Sequence, residues 1–234
     1  MLAAWRCDVR AAMDRDPAAC SALTVILCYP GVHAIWGHRL SRWLWHRDAR
    51  LLARLAAEVT RMLTGVDIHP AASLGPGLFI DHATGVVIGE TAEIGADVTI
   101  YQGVTLGGVS TETGKRHPTL GDRVIIGSGA KVLGPIHVGD DSRIGANAVV
   151  VKPVPAGSVV VGVPGQVIAR SRPREATALP RTDDALLPDL IAESLETLFR
   201  RVDRLESLAG DGRLPGRVIH PPEAGVWHGE DFSI

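Results

Sequence analysis

Aromatic residues are scarce, at 4% of a 234-residue chain with three phenylalanines and two tyrosines. Large ring anchors are therefore few, and any sizeable core must be filled by aliphatic side chains. Long hydrophobic runs are missing as well. The longest apolar stretch of note, Ala22 to Tyr29, is stopped by Pro30-Gly31, which excludes a membrane-spanning helix there. Neither sign of charge dominates: 24 Lys and Arg face 26 Asp and Glu, for a net charge of -2. Without a basic run, the chain has no electrostatic footprint for nucleic acid. The opening MLAAWRCDVRAAMDRD alternates charged with apolar residues and has no secretory h-region. Cysteine is rare too. Cys7, Cys20 and Cys28 are odd in number, all N-terminal and without metal-ligand spacing. They read as small buried hydrophobes in a chain of the reducing cytoplasm.

What is present is glycine, 26 residues of it, and a rhythm. Residues 66–169 repeat an aliphatic side chain every six positions. Ile68, Leu74, Ile80 and Val86 form one series; Ile88, Ile94, Ile100 and Leu106 a second; Leu120, Ile126, Val132, Val138, Ile144 and Val150 a third. This period belongs neither to a helix nor to strand alternation. It is the signature of a hexapeptide-repeat β-helix, each repeat forming one flat side of a coil. Aliphatics point into the prism, and glycines relieve crowding at its corners. The phase breaks twice. It slips by two between Ile80 and Ile88, across Asp81-His82, and it is interrupted between Leu106 and Leu120 by GGVSTETGKRHPT. A solenoid gains nothing from interruptions, so the loop bearing Lys115, Arg116 and His117 is a candidate functional loop.

Flanking zones differ. Residues 1–65 read as helices, punctuated at Asp16-Pro17 and Pro30-Gly31, with Leu51, Leu52, Leu55, Val59, Met62 and Leu63 on one face. Trp36, Trp43 and Trp45 read as core or interface anchors. Residues 170–234 form an appendage: a linker, SRPREATALPRTDD, then a helix with a heptad-like stripe of Ile191, Leu195, Leu198, Val202 and Leu205, then a flexible tail. The expected architecture is thus mainly β, a parallel β-helix between an N-terminal α-helical region and a C-terminal helix plus tail.

The polar residues that stand out are Asp16, Asp67, His69, Asp81, His82, Arg116, His117 and His137. Coils bring positions about eighteen apart into stacked contact, and Asp67 lies fifteen before His82, within reach once the slip is counted. A carboxylate behind an imidazole fixes its tautomer and stabilises its cation, which makes a general base. No serine or cysteine stands out as a nucleophile, so direct attack by a bound substrate is favoured over an acyl-enzyme.

The strings VDIHPAASLGPGLFIDHATGVVIGET, VTLGG, KRHP, IGSGAKVLGPI, IGANAVV and VGVPG, with RDPA at Arg15 to Ala18, resemble bacterial serine O-acetyltransferase over residues 8–169. The resemblance implies a left-handed coil, an exception to the usual right-handed crossover. It also implies transfer of acetyl from acetyl-CoA to L-serine on the way to cysteine, with active sites between neighbouring subunits of a homotrimer. His82 would be the base and Asp67 its orienting partner. Asp16 and Asp81 would hold the substrate ammonium, and Arg116 its carboxylate, with His117 beside it. Acetyl-CoA would lie near Gly108, Ser128, Lys131 and Ala146, with no metal required. L-cysteine would inhibit from the serine site. The terminal Ile234 would insert its carboxylate into O-acetylserine sulfhydrylase. Many members of that family carry a longer N-terminal region that pairs two trimers; this chain starts just before RDPA, so a trimer is expected rather than a hexamer.

Three other readings compete. Another hexapeptide acetyltransferase, acting on a sugar or xenobiotic hydroxyl, would not need an ammonium-and-carboxylate reader. A γ-class carbonic anhydrase needs three histidines on one metal, drawn from His69, His82, His117 and His137, and Arg116 is a poor neighbour for such a ligand. A non-catalytic trimeric scaffold leaves Asp81-His82 unexplained.

Overall fold

The computed structural model describes residues 2–170, 197–202 and 204. The chain divides into two units, Met1–Ala185 and Leu186–Ile234. In the second unit the described residues are helical and exposed, Leu198 and Val202 of the expected stripe among them. Ile191, Leu195, Leu205, the linker and the tail ending in Ile234 lie outside the described residues.

Four helices open the first unit: α1 (Leu2–Arg15), α2 (Ala22–Cys28), α3 (Pro30–Trp45) and α4 (Arg50–Thr64). Their ends follow local chemistry. Ser21 caps α2 by accepting the Thr24 N–H at 3.1 Å. Pro30 opens α3, where a missing N–H is harmless. Gly65 ends α4 at φ 73°, in the left-handed region. Asp8 of α1, fully buried, accepts the Arg39 fork and the Trp36 indole N–H (3.1 Å), tying α1 to α3. The three cysteines depart from expectation. All are free and exposed, because Cys7, Cys20 and Cys28 fall on outward positions around α1 and α2. The α4 stripe is likewise uncovered: Leu51, Leu52, Leu55, Val59, Met62 and Leu63 are 49–80% exposed.

From Asp67 onward the chain winds as the expected left-handed parallel β-helix with three faces. Face one stacks β1 (Asp67–Ile68), β4 (Val87–Ile88), β7 (Thr105–Gly107), β10 (Lys131–Leu133) and β13 (Val149–Val150). Face two stacks β2 (Ser73–Leu74), β5 (Glu93–Ile94), β8 (Thr119–Leu120) and β11 (His137–Val138). Face three stacks β3 (Phe79–Ile80), β6 (Thr99–Ile100), β9 (Ile125–Ile126), β12 (Arg143–Ile144) and β14 (Ser158–Val161), closed by antiparallel β15 (Gln166–Arg170).

The second residue of nearly every rung fills the prism, and Ile88, Ile100, Leu106, Ile126 and Val132 are essentially solvent-free. Each such side chain contributes roughly 1.5–3 kcal/mol of burial. Truncating Leu106 to alanine would cost about 2–5 kcal/mol. Ala34 and Ile35 of α3 join this core. Both phase breaks survive as register. Ile88 pairs with Leu106 eighteen positions on, but Ile68 pairs with Ile88 twenty on, and Ile94 with Leu120 twenty-six on. The two extra residues of the slip, and the eight of the loop, are extruded at corners while the rungs stay in phase.

Candidate active site

The slip builds the first polar cluster, at the corner between faces three and one. Asp81 still donates its N–H to the Ile100 carbonyl (2.9 Å), as a rung residue does. The chain then leaves the rung: His82 and Ala83 take φ of 55° and 58°. Two successive non-glycine residues in the left-handed region cost on the order of 1–3 kcal/mol each and persist where surrounding bonds over-determine them. Here Thr84 donates to the His82 carbonyl (2.6 Å), and Gly85 to Gly65 across the coil (2.9 Å). The turn turns the His82 ring outward, so its side chain is 72% exposed, while the Asp81 side chain stays 19% exposed. His82 Nε2 stands 3.8 Å from Asp81 Oδ2, and the His82 N–H donates to Asp81 Oδ1 at 2.9 Å.

Asp16 reaches this corner from the end of α1. Arg15 anchors that end by donating to Asp97 Oδ1 (2.9 Å) and the Val98 carbonyl (3.1 Å). Asp16 Oδ1 accepts the Ala18 N–H (2.8 Å), and Oδ2 accepts the Tyr29 hydroxyl (2.5 Å). Gly31 lets α3 close on the strand before Asp81, since a Cβ there would collide with the Ile80 carbonyl. The electrostatics follow. Burial lifts the Asp81 carboxyl above its ordinary range and Asp16 adds to the lift, with His82 opposing it. Burial and the bond to Asp16 push the Tyr29 hydroxyl up to about 12. Among the described residues no lysine or arginine pairs with Asp16 or Asp81, so His82 is the basic group that the Asp81 carboxylate has beside it.

Asp67 lies beside this corner without entering it. Its register partner is Val87, its carboxylate is exposed, and among the described residues no hydrogen bond or ion pair joins it to His82.

The second cluster occupies a different edge, between faces one and two, where the loop returns. Arg116 pairs with Glu90, and Lys115 with Glu93 (3.0 Å). His117, only 8% exposed, packs against Gly89 and takes Thr91 as its partner at Nδ1. Burial first, then Arg116, hold its pKa below the usual histidine value. An open groove of about 760 Å³, lined by Trp45, Arg50, Glu90, Thr91, Glu93 and Thr119, runs beside this edge. His82 and Arg116 are thus separated by the breadth of face one.

The four positions expected near acetyl-CoA spread along that face. Ser128 and Ala146 occupy successive turns at its leading corner, with Asn147 donating to the Ser128 carbonyl (2.8 Å). Lys131 lies on β10 with Nζ donating to Gly103 O, and Gly108 follows β7 against Arg116. His69 accepts the Ala71 N–H at Nδ1 (3.1 Å) and sits edge-on to Trp45, and His137 is exposed on β11. Among the described residues no three metal-capable side chains converge. Tyr29, Glu90 and Thr91 escaped the sequence reading. The last two stood inside the GET of the recognised string, the only signal that could have found them.

A prism of hexapeptide rungs with polar clusters at its edges places the chain among the hexapeptide-repeat proteins. The profile described as bacterial transferase hexapeptide (six repeats) matches residues 117–152, and that of the serine acetyltransferase N-terminal region matches residues 1–36. A serine acetyltransferase of Mycobacterium tuberculosis is 69% identical over all 234 residues, covering both chains completely. One from Synechococcus elongatus is 47% identical over 94% of this chain and 86% of its own. Among solved structures, Neisseria gonorrhoeae serine acetyltransferase in complex with serine is similar at TM-score 0.70 and 45% identity, over 72% of this chain and 69% of that one. A serine acetyltransferase complex with cysteine is similar at 0.72 and 44%, over 73% and 66%. The chain belongs to the serine acetyltransferase family and is an acyltransferase.

Proposed function

We propose that the chain transfers the acetyl group of acetyl-CoA to the hydroxyl of L-serine, giving O-acetyl-L-serine and CoA for cysteine synthesis in the cytoplasm. One observation carries the choice of acceptor: Asp16 and Asp81 act on each other as like charges, and among the described residues no lysine or arginine pairs with either. An α-ammonium meets both charges and relieves their repulsion. A sugar hydroxyl would leave them unmet. That a relative is solved with serine, and another with cysteine, supports the same reading for substrate and inhibitor.

In the proposed reaction His82 takes the proton of the serine hydroxyl as the oxygen attacks the thioester carbonyl. Asp67 orients the ring, and Asp16 and Asp81 hold the ammonium. The Gly107 and Gly108 N–H groups donate to the oxyanion. Collapse of the tetrahedral intermediate expels the CoA thiolate, which takes the proton from His82. Arg116 receives the serine carboxylate, with His117 beside it. The acetyl-CoA lies along face one near Gly108, Ser128, Lys131 and Ala146.

Because His82 and Arg116 stand on different edges of one prism, a complete site needs two chains. We propose a homotrimer whose sites lie between neighbours. The uncovered α4 stripe is an apolar surface of the kind that subunit contacts cover. L-cysteine, with the same ammonium and carboxylate, would compete with serine. The free carboxylate of Ile234 would dock in O-acetylserine sulfhydrylase. Thiol release from acetyl-CoA tests the main reading: L-serine should support it, and L-homoserine and a sugar acceptor should not. Equal rates with a sugar would refute it.

A further inference from the structure

Thr91 makes more contacts to the functional loop than any local pattern would suggest. Its hydroxyl oxygen accepts two successive backbone N–H groups, from Arg116 (3.0 Å) and His117 (3.1 Å). Its carbonyl accepts Lys115 Nζ (2.7 Å). Its own N–H donates to His117 Nδ1 (3.2 Å), and its hydroxyl lies 2.9 Å from that same nitrogen. One corner residue therefore holds three consecutive loop residues from twenty-four to twenty-six positions away.

The hydrogens decide what this means. Both backbone N–H groups bring their hydrogens to the Thr91 oxygen, so the oxygen is acceptor there. Its single hydrogen is left for Nδ1, the remaining partner. With the Thr91 N–H and O–H both donating to it, Nδ1 carries no proton, and the neutral ring keeps its proton on Nε2. The ring occupies space that only glycine leaves open. A Cβ on Gly89 would overlap it, and Nε2 lies 3.3 Å from the Cβ position of Gly108.

We propose that Thr91 is a positioning residue of the acetyl-transfer site: its hydroxyl fixes His117 as an Nε2–H donor and sets the place of Arg116 beside it. The donor then serves an oxygen of the amino-acid substrate. This rests on the reading that the loop meets the acceptor. The same threonine explains how a loop eight residues longer than its rung presents its final dipeptide in one pose.

The test pairs two substitutions with one spectrum. Thr91→Val keeps the shape and loses the hydroxyl; Thr91→Ser keeps the hydroxyl. Thr91→Val should raise the serine KM about tenfold while the acetyl-CoA KM moves less than about twofold, and Thr91→Ser should restore it to within about threefold. In ¹⁵N-histidine-labelled wild-type protein at pH 7.5, long-range ¹H–¹⁵N correlations should show His117, identified by its loss in His117→Gln, protonated at Nε2 only. A ring protonated at Nδ1, or a serine KM unmoved in Thr91→Val, would overturn the proposal. If Thr91→Val does not fold, the wild-type spectrum and Thr91→Ser still decide it: an Nδ1 proton, or a tenfold rise in Thr91→Ser, counts against it. Arg116→Lys separates the underlying reading. If that variant also leaves the serine KM unchanged, the loop does not read serine. If only Thr91→Val is silent, Thr91 alone loses its role.

Discussion

The Tyr29 hydroxyl donates to Asp16 Oδ2 at 2.5 Å, and Asp16 in turn adds to the lift that burial gives the Asp81 carboxyl. A contact between the end of α1 and the α2–α3 junction thereby reaches the turn that carries His82. Tyr29 donates to one oxygen of Asp16 and the Ala18 N–H to the other, which fixes the orientation of that carboxylate.

Asp16→Asn tests that arrangement by pH. Asp81 is lifted above its ordinary range, so its charge is lost, as pH falls, sooner than for an ordinary aspartate. Serine binding should therefore weaken on acidification, with the limb of kcat/KM at the raised pKa. Removing the Asp16 charge should move that limb to lower pH and raise the plateau serine KM about 10–100-fold. Tyr29→Phe should raise KM less than tenfold. A limb that stays put in Asp16→Asn would show that the carboxylates do not share a site.

His82→Ala should lower kcat by roughly 10²–10⁴, the span of general-base catalysis. The orienting carboxylate is decided by comparison. Asp67→Ala should reduce kcat with the serine KM nearly unchanged, whereas Asp81→Ala should act chiefly on KM. The reverse pattern would assign orientation to Asp81, which lies 3.8 Å from His82 Nε2.

The prism was legible because its physics is local and periodic. An aliphatic every six residues either fills the rung or exposes a whole face, and Ile88, Ile100 and Ile126 all fill it. Both breaks were legible for the same reason. Asp81, His82, Arg116 and His117 stood out as polar residues where the period failed, and the structure places all four at corners. Their partners were not legible. Tyr29 meets Asp16 through the packing of α1 on α2 and α3, and Glu90 and Thr91 meet the loop across a coil whose length the loop itself changes. Exposure on helices was misread too. α1 mixes charged and apolar residues and α2 is apolar on nearly every side, so neither marks which side faces the core, and the cysteines came out at the surface.

Acid should destabilise the helical region through His38. It is 3% exposed, and among the described residues no well-formed hydrogen bond reaches either ring nitrogen, with the Ala72 backbone standing nearby. Burial, with Arg42 adding and the Ala72 backbone opposing, pushes its pKa from 6.5 down to about 4, and Arg39 and His69 lower it further. The unfolded chain then binds the proton more readily than the folded one. This contribution is present in full above pH 6.5 and is lost as pH falls towards 4, by on the order of 3 kcal/mol. The Tm of wild type should drop more steeply over that window than that of His38→Leu. Parallel curves would mean that His38 does not titrate there.

Subunit mixing offers the sharpest check on the shared site. His82→Ala and Arg116→Ala chains are each expected to be nearly inactive alone. In a closed trimer every site would take His82 from one chain and Arg116 from its neighbour. Mixed trimers then always contain one junction at which an intact His82 meets an intact Arg116, and one at which both are lost. Equal co-expression with random assembly puts three quarters of trimers in the mixed class, each with one working site of three, for about a quarter of wild-type activity. Two differently tagged chains, purified through both tags, should enrich the mixed class and raise recovery to about a third. If His82 and Arg116 instead served one site within a single chain, mixing would restore nothing. Activity no greater than that of the separate variants, with both tags present in the purified trimer, would remove the case for sites between chains.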